Sequence, residues 1–209
     1  MPTLWIGTNN KKKRAELERM LAPLGFTLRT PDQLGRPFDP VEDQPDFAGN
    51  ARAKASALAR LAGAVALADD SGLCVDALGG RPGVLSARYG GPGLDDRGRL
   101  LRLLGELSEA PDHRRTARFV CSLCVCGADG RVLAAIEDVC EGTLLRAPQG
   151  EGGFGYDPIF VPVEFAGDPT KTFAALDAAT KDRLSHRGKA LRRLAATLPG
   201  LVAGGPAEA

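Results

Sequence analysis

Thr8, Asn10 and Lys13 fall where an apolar, strand-like run, Thr3 to Gly7, gives way to a helical pattern. At such a junction free backbone N–H groups and the positive end of the helix dipole favour an anion, and a lysine one turn into the helix can reach a phosphate. The spacing lacks the Gly-Lys-Ser or Gly-Lys-Thr of a Walker A loop. By itself it also describes a capped helix with a solvated Lys11-Lys12-Lys13 run. Lysine is scarce, however: outside that run the chain has Lys54, Lys171, Lys181 and Lys189, each in or near a segment with the composition of a site.

A second group is Glu42, Asp43, Asp69 and Asp70. Asp69 and Asp70 follow an apolar strand pattern, where α/β sheets present ligands, and adjacent carboxylates there repel unless a cation lies between them. Hard oxygen donors of this kind suit Mg2+, which takes one or two carboxylates plus substrate phosphates; a capped turn with a solvated Asp70 is the plainer alternative. A third is the loop Gly150 to Pro158, in which glycines flank Phe154 and let the backbone approach a ligand while the ring stacks on a base. A mobile loop with a half-buried phenylalanine fits the same residues. A fourth is Ser185-His186-Arg187, whose side chains can donate hydrogen bonds to base oxygens. There is no Gly-x-Ser-x-Gly elbow and no evident nucleophile–base pair.

The elements that must position these groups are those of an α/β protein. A strand Thr3 to Gly7 leads to a helix Lys11 to Leu24 capped by Asn9 or Asn10, then to a strand near Phe26 to Arg29. A polar loop, Pro31 to Asp46, is too long to be a mere connector. Next come a helix Phe47 to Leu61, a strand Val65 to Ala68 ending in Asp69, a glycine- and proline-rich loop, and a helix Asp95 to Leu107. The runs Thr116 to Cys126 and Arg131 to Cys140 about Ala128-Asp129-Gly130 predict a hairpin. Strands Glu141 to Leu145 and Ile159 to Val161, a helix Lys181 to Leu198 closed by Pro199 and Gly200, and a frayed tail 204–209 complete the chain.

At 209 residues the chain is long for one ordinary domain and short for two, so one large domain, 1–203, in two lobes about a cleft, is expected. Hydrophobic residues at 44% and charged residues at 25% are ordinary for a globular protein and exclude disordered or coiled-coil classes. No apolar run is long enough to span a membrane. Twenty-seven basic residues against 26 acidic ones lack the basic footprint of a nucleic-acid binder. With no secretory signal pattern and five cysteines, an odd number, a cytoplasmic protein with reduced thiols is expected. Cys121 and Cys124 have metal-like spacing, but residues three apart in a strand face opposite ways.

Five segments together, GTNNKKKRAEL (7–17), FAGNARAKA (47–55), LADDSGLCVDALGGRPGVLSARYGG (67–91), GGFGYDPIF (152–160) and LSHRGKAL (184–191), match one family in order and spacing. From Leu4 to about Leu194 the sequence resembles the inosine triphosphatase-like purine nucleoside triphosphate pyrophosphatases, the dITP/XTP diphosphatases. The resemblance implies an α/β fold with a long mixed sheet flanked by helices, an active-site cleft between two lobes, and a homodimer. It implies Mg2+-dependent cleavage of ITP, dITP and XTP between the α and β phosphorus atoms, removing them from the nucleotide pool. It places triphosphate contacts on Thr8, Asn10 and Lys13, a substrate contact on Ser71, metal ligands on Glu42, Asp69 and Asp70, with Asp70 also the general base, and charge-offsetting lysines at Lys13 and Lys54. Nucleotide contacts fall on Phe154, Gly155, Tyr156, Asp157, Lys181, His186 and Arg187. Asn9, Gly49 and Ala175 depart from the family pattern, which has a small residue, commonly glycine, at the first and glutamates at the other two. A nucleotide-binding protein without turnover, or a pyrophosphatase for other modified nucleotides, are the rival functions.

Overall fold

In chain order the strands are β1 (Thr3–Ile6), β2 (Thr27–Arg29), β3 (Ala66–Val75), β4 (Thr116–Cys126), β5 (Val132–Leu144) and β6 (Phe160–Pro162). The helices are α1 (Lys11–Leu21), α2 (Phe47–Ala62), α3 (Asp96–Glu106), α4 (Ala178–Leu184), α5 (His186–Ala195) and α6 (Leu198–Ala203). This computed structural model describes residues 1–204, so the expected tail lies outside the described residues except for Gly204, which caps α6. The strands form one mixed sheet in the order β2-β1-β3-β4-β5-β6, flanked by helices as the α/β reading requires. None of the helices among the described residues is long and apolar enough to cross a membrane.

The chain divides into two compact units. Unit 1 comprises Met1–Asp70, Cys121–Asp138 and the residues from Arg187 onward; unit 2 comprises Ser71–Val120 and Val139–His186. In unit 1, β1 runs parallel to both β2 and β3, with Leu4 opposite Leu28 and Ile6 opposite Leu67. Its strands are covered on both faces. Leu4, Ile6, Leu67, Cys121, Leu123 and Val125 pack with Leu17 and Leu21 of α1 and with Leu191 and Leu194 of α5. Trp5, Ala66, Ala68, Cys124 and Cys126 pack with Ala51, Ala55, Leu58 and Ala59 of α2. The period of two along a strand assigns each residue to its layer, and it separates Cys121 from Cys124. Small residues let α2 lie close: a Cβ on Gly7 would stand 3.3 Å from Leu58 Cδ2 of that helix.

Unit 2 is built around Leu73, Val75, Leu100, Leu103, Leu107, Phe119, Phe160 and Phe173. In it β5 pairs antiparallel with β6, Thr143 opposite Val161. Phe119 lies against Phe160 with ring centroids 4.7 Å apart, and Phe160 against Phe173 at 5.0 Å.

Four elements differ from expectation by more than one residue. Helix α1 stops at Leu21, and Ala22–Leu24, with Pro23, tightens into a 3-10 turn closed by Gly25 in the left-handed region. Strand β3 runs on through Asp69 and Asp70 to Val75 instead of ending at Ala68. The expected strand Glu141 to Leu145 is the continuation of β5. The last helix is three: Ser185, extended at ψ 154°, separates α4 from α5, and Pro199 sits in the first turn of α6, where its missing N–H costs nothing.

Candidate functional site

Because β3 continues through them, Asp69 and Asp70 point to opposite faces of the sheet. Asp70 follows Ala66 and Ala68 onto the face covered by α2; Asp69 follows Leu67 onto the face covered by α1 and α5. The two carboxylates therefore make their direct ion pairs with different side chains, Asp70 with Lys54 and Asp69 with Lys13 and Arg187.

On the α2 face, Lys54 Nζ lies 2.9 Å from Glu42 Oε1 and 3.0 Å from Asp70 Oδ1. A single ammonium thus stands between the two carboxylates that the family resemblance assigns to a metal. One turn earlier on the same helix, Asn50 Nδ2 donates to Asp70 Oδ2 at 3.1 Å, and its Oδ1 accepts from Gln44 N at 3.1 Å. Helix α2 begins at Asp46, whose carboxylate accepts from Gly49 N at 2.7 Å. The glutamate that the resemblance implies at position 49 would return a bond to the cap. Here a Cβ on Gly49 would lie 2.8 Å from Gln44 Cβ, so the acidic loop occupies that space. Burial is the largest influence on Asp70 and raises its pKa with help from Glu42, against the pull of Lys54 and Lys13. Burial would lower Lys54, but Asp69, Asp70 and Glu42 outweigh it and hold the ammonium charged.

On the other face, Asp69 Oδ2 meets Lys13 Nζ at 3.3 Å and Arg187 Nη2 at 2.9 Å. Arg187, 2% exposed, also donates through Nη1 to Glu16 Oε2. Burial would raise Asp69, but Lys13, Arg187 and Lys54 hold it well below the usual carboxylate range. Asp69, expected among the metal ligands, is committed here to two cations of the protein itself. Arg187, expected at the base, is committed to Asp69 and Glu16.

The first loop is a capped helix start. Asn10 caps α1, its side chain accepting from the backbone N of Lys12 and of Lys13, while Thr8 Oγ1 accepts from Asn10 N at 3.2 Å. Asn9 donates to Phe38 O at 3.0 Å and ties this loop to the polar segment that carries Glu42. No non-glycine residue among the described residues has positive φ, so Asn9 is accommodated without strain.

In unit 2, Asp157 organises the glycine-rich loop. Its Oδ2 accepts from Phe154 N at 2.8 Å and from Lys181 Nζ at 2.7 Å. Lys181 lies 4.9 Å from the centroid of the Phe154 ring, a cation–π arrangement. Tyr156 is buried and donates to Ser86 O at 3.1 Å, and Gly155 N donates to Asp96 Oδ2 at 3.2 Å. His186 stacks on Phe119, ring centroids 4.9 Å apart and planes 10° from parallel. Ser71, the first residue of unit 2, is half-buried on β3, and Ala175 is exposed. Unit 1 thus brings together Thr8, Asn10, Lys13, Glu42, Lys54, Asp69, Asp70 and Arg187, and unit 2 brings together Phe154, Gly155, Tyr156, Asp157 and Lys181.

Two residues of the unit 1 site were not anticipated: Glu16 and Asn50. Each has a helical relation to an anticipated one, Glu16 three residues after Lys13 and Asn50 four before Lys54, and that spacing is the signal that finds them. A cleft of about 900 Å³ elsewhere in unit 1, lined by Arg52, Arg60, Arg131, Asp46 and Glu137 among others, contains none of the anticipated site residues.

Residues 4–197 match the Ham1 family. The chain is 46% identical over 190 residues to the dITP/XTP pyrophosphatase of Desulforamulus reducens, covering 91% of this chain and 92% of that protein. It is 47% identical to the dITP/XTP pyrophosphatase of Gloeobacter violaceus, covering 93% of each. The HAM1 protein of Coxiella burnetii superposes with a TM-score of 0.84 at 36% identity, over 96% of this chain and 100% of that one. For the Staphylococcus aureus Ham1 protein the values are 0.82 and 33%, over 95% and 99%.

Proposed function

The chain belongs to the Ham1 family, and from that premise we propose that it is a Mg2+-dependent pyrophosphatase that hydrolyses ITP, dITP and XTP to the nucleoside monophosphate and pyrophosphate. The observation that carries the reading is Lys54 held between Glu42 and Asp70: two carboxylates converge on the place of a cation, and their hard oxygen donors fit Mg2+. Glu42 and Asp70 would hold the ion. When bound, Mg2+ would neutralise phosphate charge and polarise the bond to be broken.

The rest falls to the protein's own groups. Lys13 and the capped start of α1, with Thr8 and Asn10, bind the phosphates. Lys54 offsets the charge that develops as pyrophosphate leaves. Asp70, whose basicity burial raises, orients the water that attacks the α phosphorus and accepts its proton. Asp69 takes no part in the ion's coordination in this reading; it orients Lys13. Phe154, Lys181 and His186 are assigned to the nucleobase on the family resemblance, with Gly155, Tyr156 and Asp157 shaping the same nucleotide contacts and Ser71 a further substrate contact. Arg187 is assigned to Asp69.

Pyrophosphate release from a panel of ITP, dITP, XTP, ATP and GTP tests the reading. The first three should be used well and ATP poorly, because an amino group at position six in place of oxygen sets donor against donor, at about 1–3 kcal/mol for each buried polar group left unsatisfied. Chelation of metal should abolish turnover and added Mg2+ restore it. Asp70→Asn should abolish turnover in a folded protein, and Glu42→Gln should raise the Mg2+ concentration needed for half activity; near-normal turnover by folded Asp70→Asn would overturn the assignment. A cytoplasmic homodimer belongs to the same proposal, and a monomer in light scattering at micromolar concentration would remove the dimer from it.

A further inference from the structure

We infer that Asn50 is a positioning residue for the metal site, acting at once on Asp70 and on the loop that carries Glu42. The inference rests on the function proposed above. Asn50 is fully buried on the second turn of α2. A buried side-chain amide must satisfy both its donor and its acceptor, and here each goes to a different wall of the site. Nδ2 donates to Asp70 Oδ2, and Oδ1 accepts from the backbone N of Gln44, two residues after Glu42. Lys54, one turn along the same helix, repeats the pattern, touching Asp70 through Oδ1 and the acidic loop through Glu42 Oε1.

The two rungs differ in what they can do. Lys54 is a cation drawn to whichever carboxylates lie near it, and it would be displaced or shared when another cation binds between them. Asn50 carries no charge and competes with no ion. Its bond to Oδ2 fixes the rotation of the Asp70 carboxylate and leaves Oδ1 on Lys54 Nζ, the ammonium that Glu42 Oε1 also meets. Its bond to Gln44 N fixes the loop two residues from Glu42. Both carboxylates are thereby held about one point before any ion arrives. Groups that orient metal ligands in this way typically cost about 10–100-fold in metal affinity or activity when removed.

Asn50→Leu keeps the branching of the side chain, with bulkier methyls in place of the amide, and removes both hydrogen bonds; Asn50→Ala removes them and most of the side chain. The measurements are kcat and KM for ITP across Mg2+ concentration, and the affinity for Mn2+ by electron paramagnetic resonance in the presence of an α,β-imido analogue of ITP. Expected for both variants is a fall in kcat and in Mn2+ affinity of about 10–100-fold, with KM for ITP at saturating Mg2+ changed less than threefold, because Asn50 touches none of the phosphate-binding groups. A merely structural role would lower the urea midpoint and leave both quantities unchanged per folded molecule. Should Asn50→Ala fail to fold, Asn50→Leu decides. Asp70→Asn is run beside them. If Asp70→Asn is inactive while folded Asn50→Leu matches the unsubstituted protein in kcat and Mn2+ affinity, the positioning role is overturned and the metal site stands; if Asp70→Asn itself turns over, both fall.

Discussion

Arg187 has the residue type and neighbours of a base-reading group, yet its guanidinium is buried between Asp69 and Glu16. Truncation leaves two buried carboxylates short of a cation, and breaking a buried pair in this way costs about 3–5 kcal/mol. Arg187→Ala should therefore lower the urea midpoint by that equivalent and leave the ITP:ATP ratio of kcat/KM where it was. A narrowed ratio at unchanged stability would return Arg187 to the base. Residue types were legible at every anticipated position, because phosphate and metal chemistry demand lysines and carboxylates. Their directions were not. Reading β3 as ending at Ala68 discarded the strand parity that sends Asp69 and Asp70 to opposite faces, and with it the separate duties of the two carboxylates.

Most elements announce themselves through apolar period and caps: Asn10 and Asp46 stand where helices must start, and Asp129-Gly130 where the hairpin must turn. Breaks inside a periodic run are harder to see. Ser185 interrupts a helical pattern by its backbone alone, and the result is that His186 and Arg187 open α5. The glycine-rich loop shows how geometry, rather than composition, makes an element specific. Gly153 has φ +68°, and a Cβ there would collide with the Asp157 carboxylate, the group that holds Phe154 N and Lys181. Gly153→Ala should cost roughly 1–3 kcal/mol for the left-handed conformation alone. By displacing Asp157 it should also raise KM for ITP while leaving Mg2+ activation intact. Equal KM values for the two proteins would detach this loop from the nucleotide.

At the scale of the whole chain, sequence order and structural unit part company: unit 1 is assembled from three separate segments, which periodicity within any one of them could not reveal. The chemistry of unit 1 lies in α1, α2, β3, the first turn of α5 and the loops that carry Thr8, Asn10 and Glu42, while its last described helix, α6, carries none of it. Leu198 of α6 is fully buried in the same apolar layer as Leu4, Ile6 and Leu17, so the N-terminal strand and helix depend on a residue almost at the other end of the chain. Replacing a buried leucine by alanine costs about 2–5 kcal/mol, since the cavity adds to the lost transfer energy, against a total of about 5–15 kcal/mol for a typical fold. Leu198→Ala should therefore fold, with a clearly lower urea midpoint, and retain kcat and Mg2+ activation per folded molecule at a temperature well below its transition. Because α1 bears Lys13 and packs through Leu17 and Leu21 on that same layer, a local loosening that reached the site would appear first as a raised KM for ITP. A KM raised several-fold in fully folded Leu198→Ala would mean that the apolar layer helps set the phosphate contacts, and that stability and site geometry in unit 1 cannot be separated.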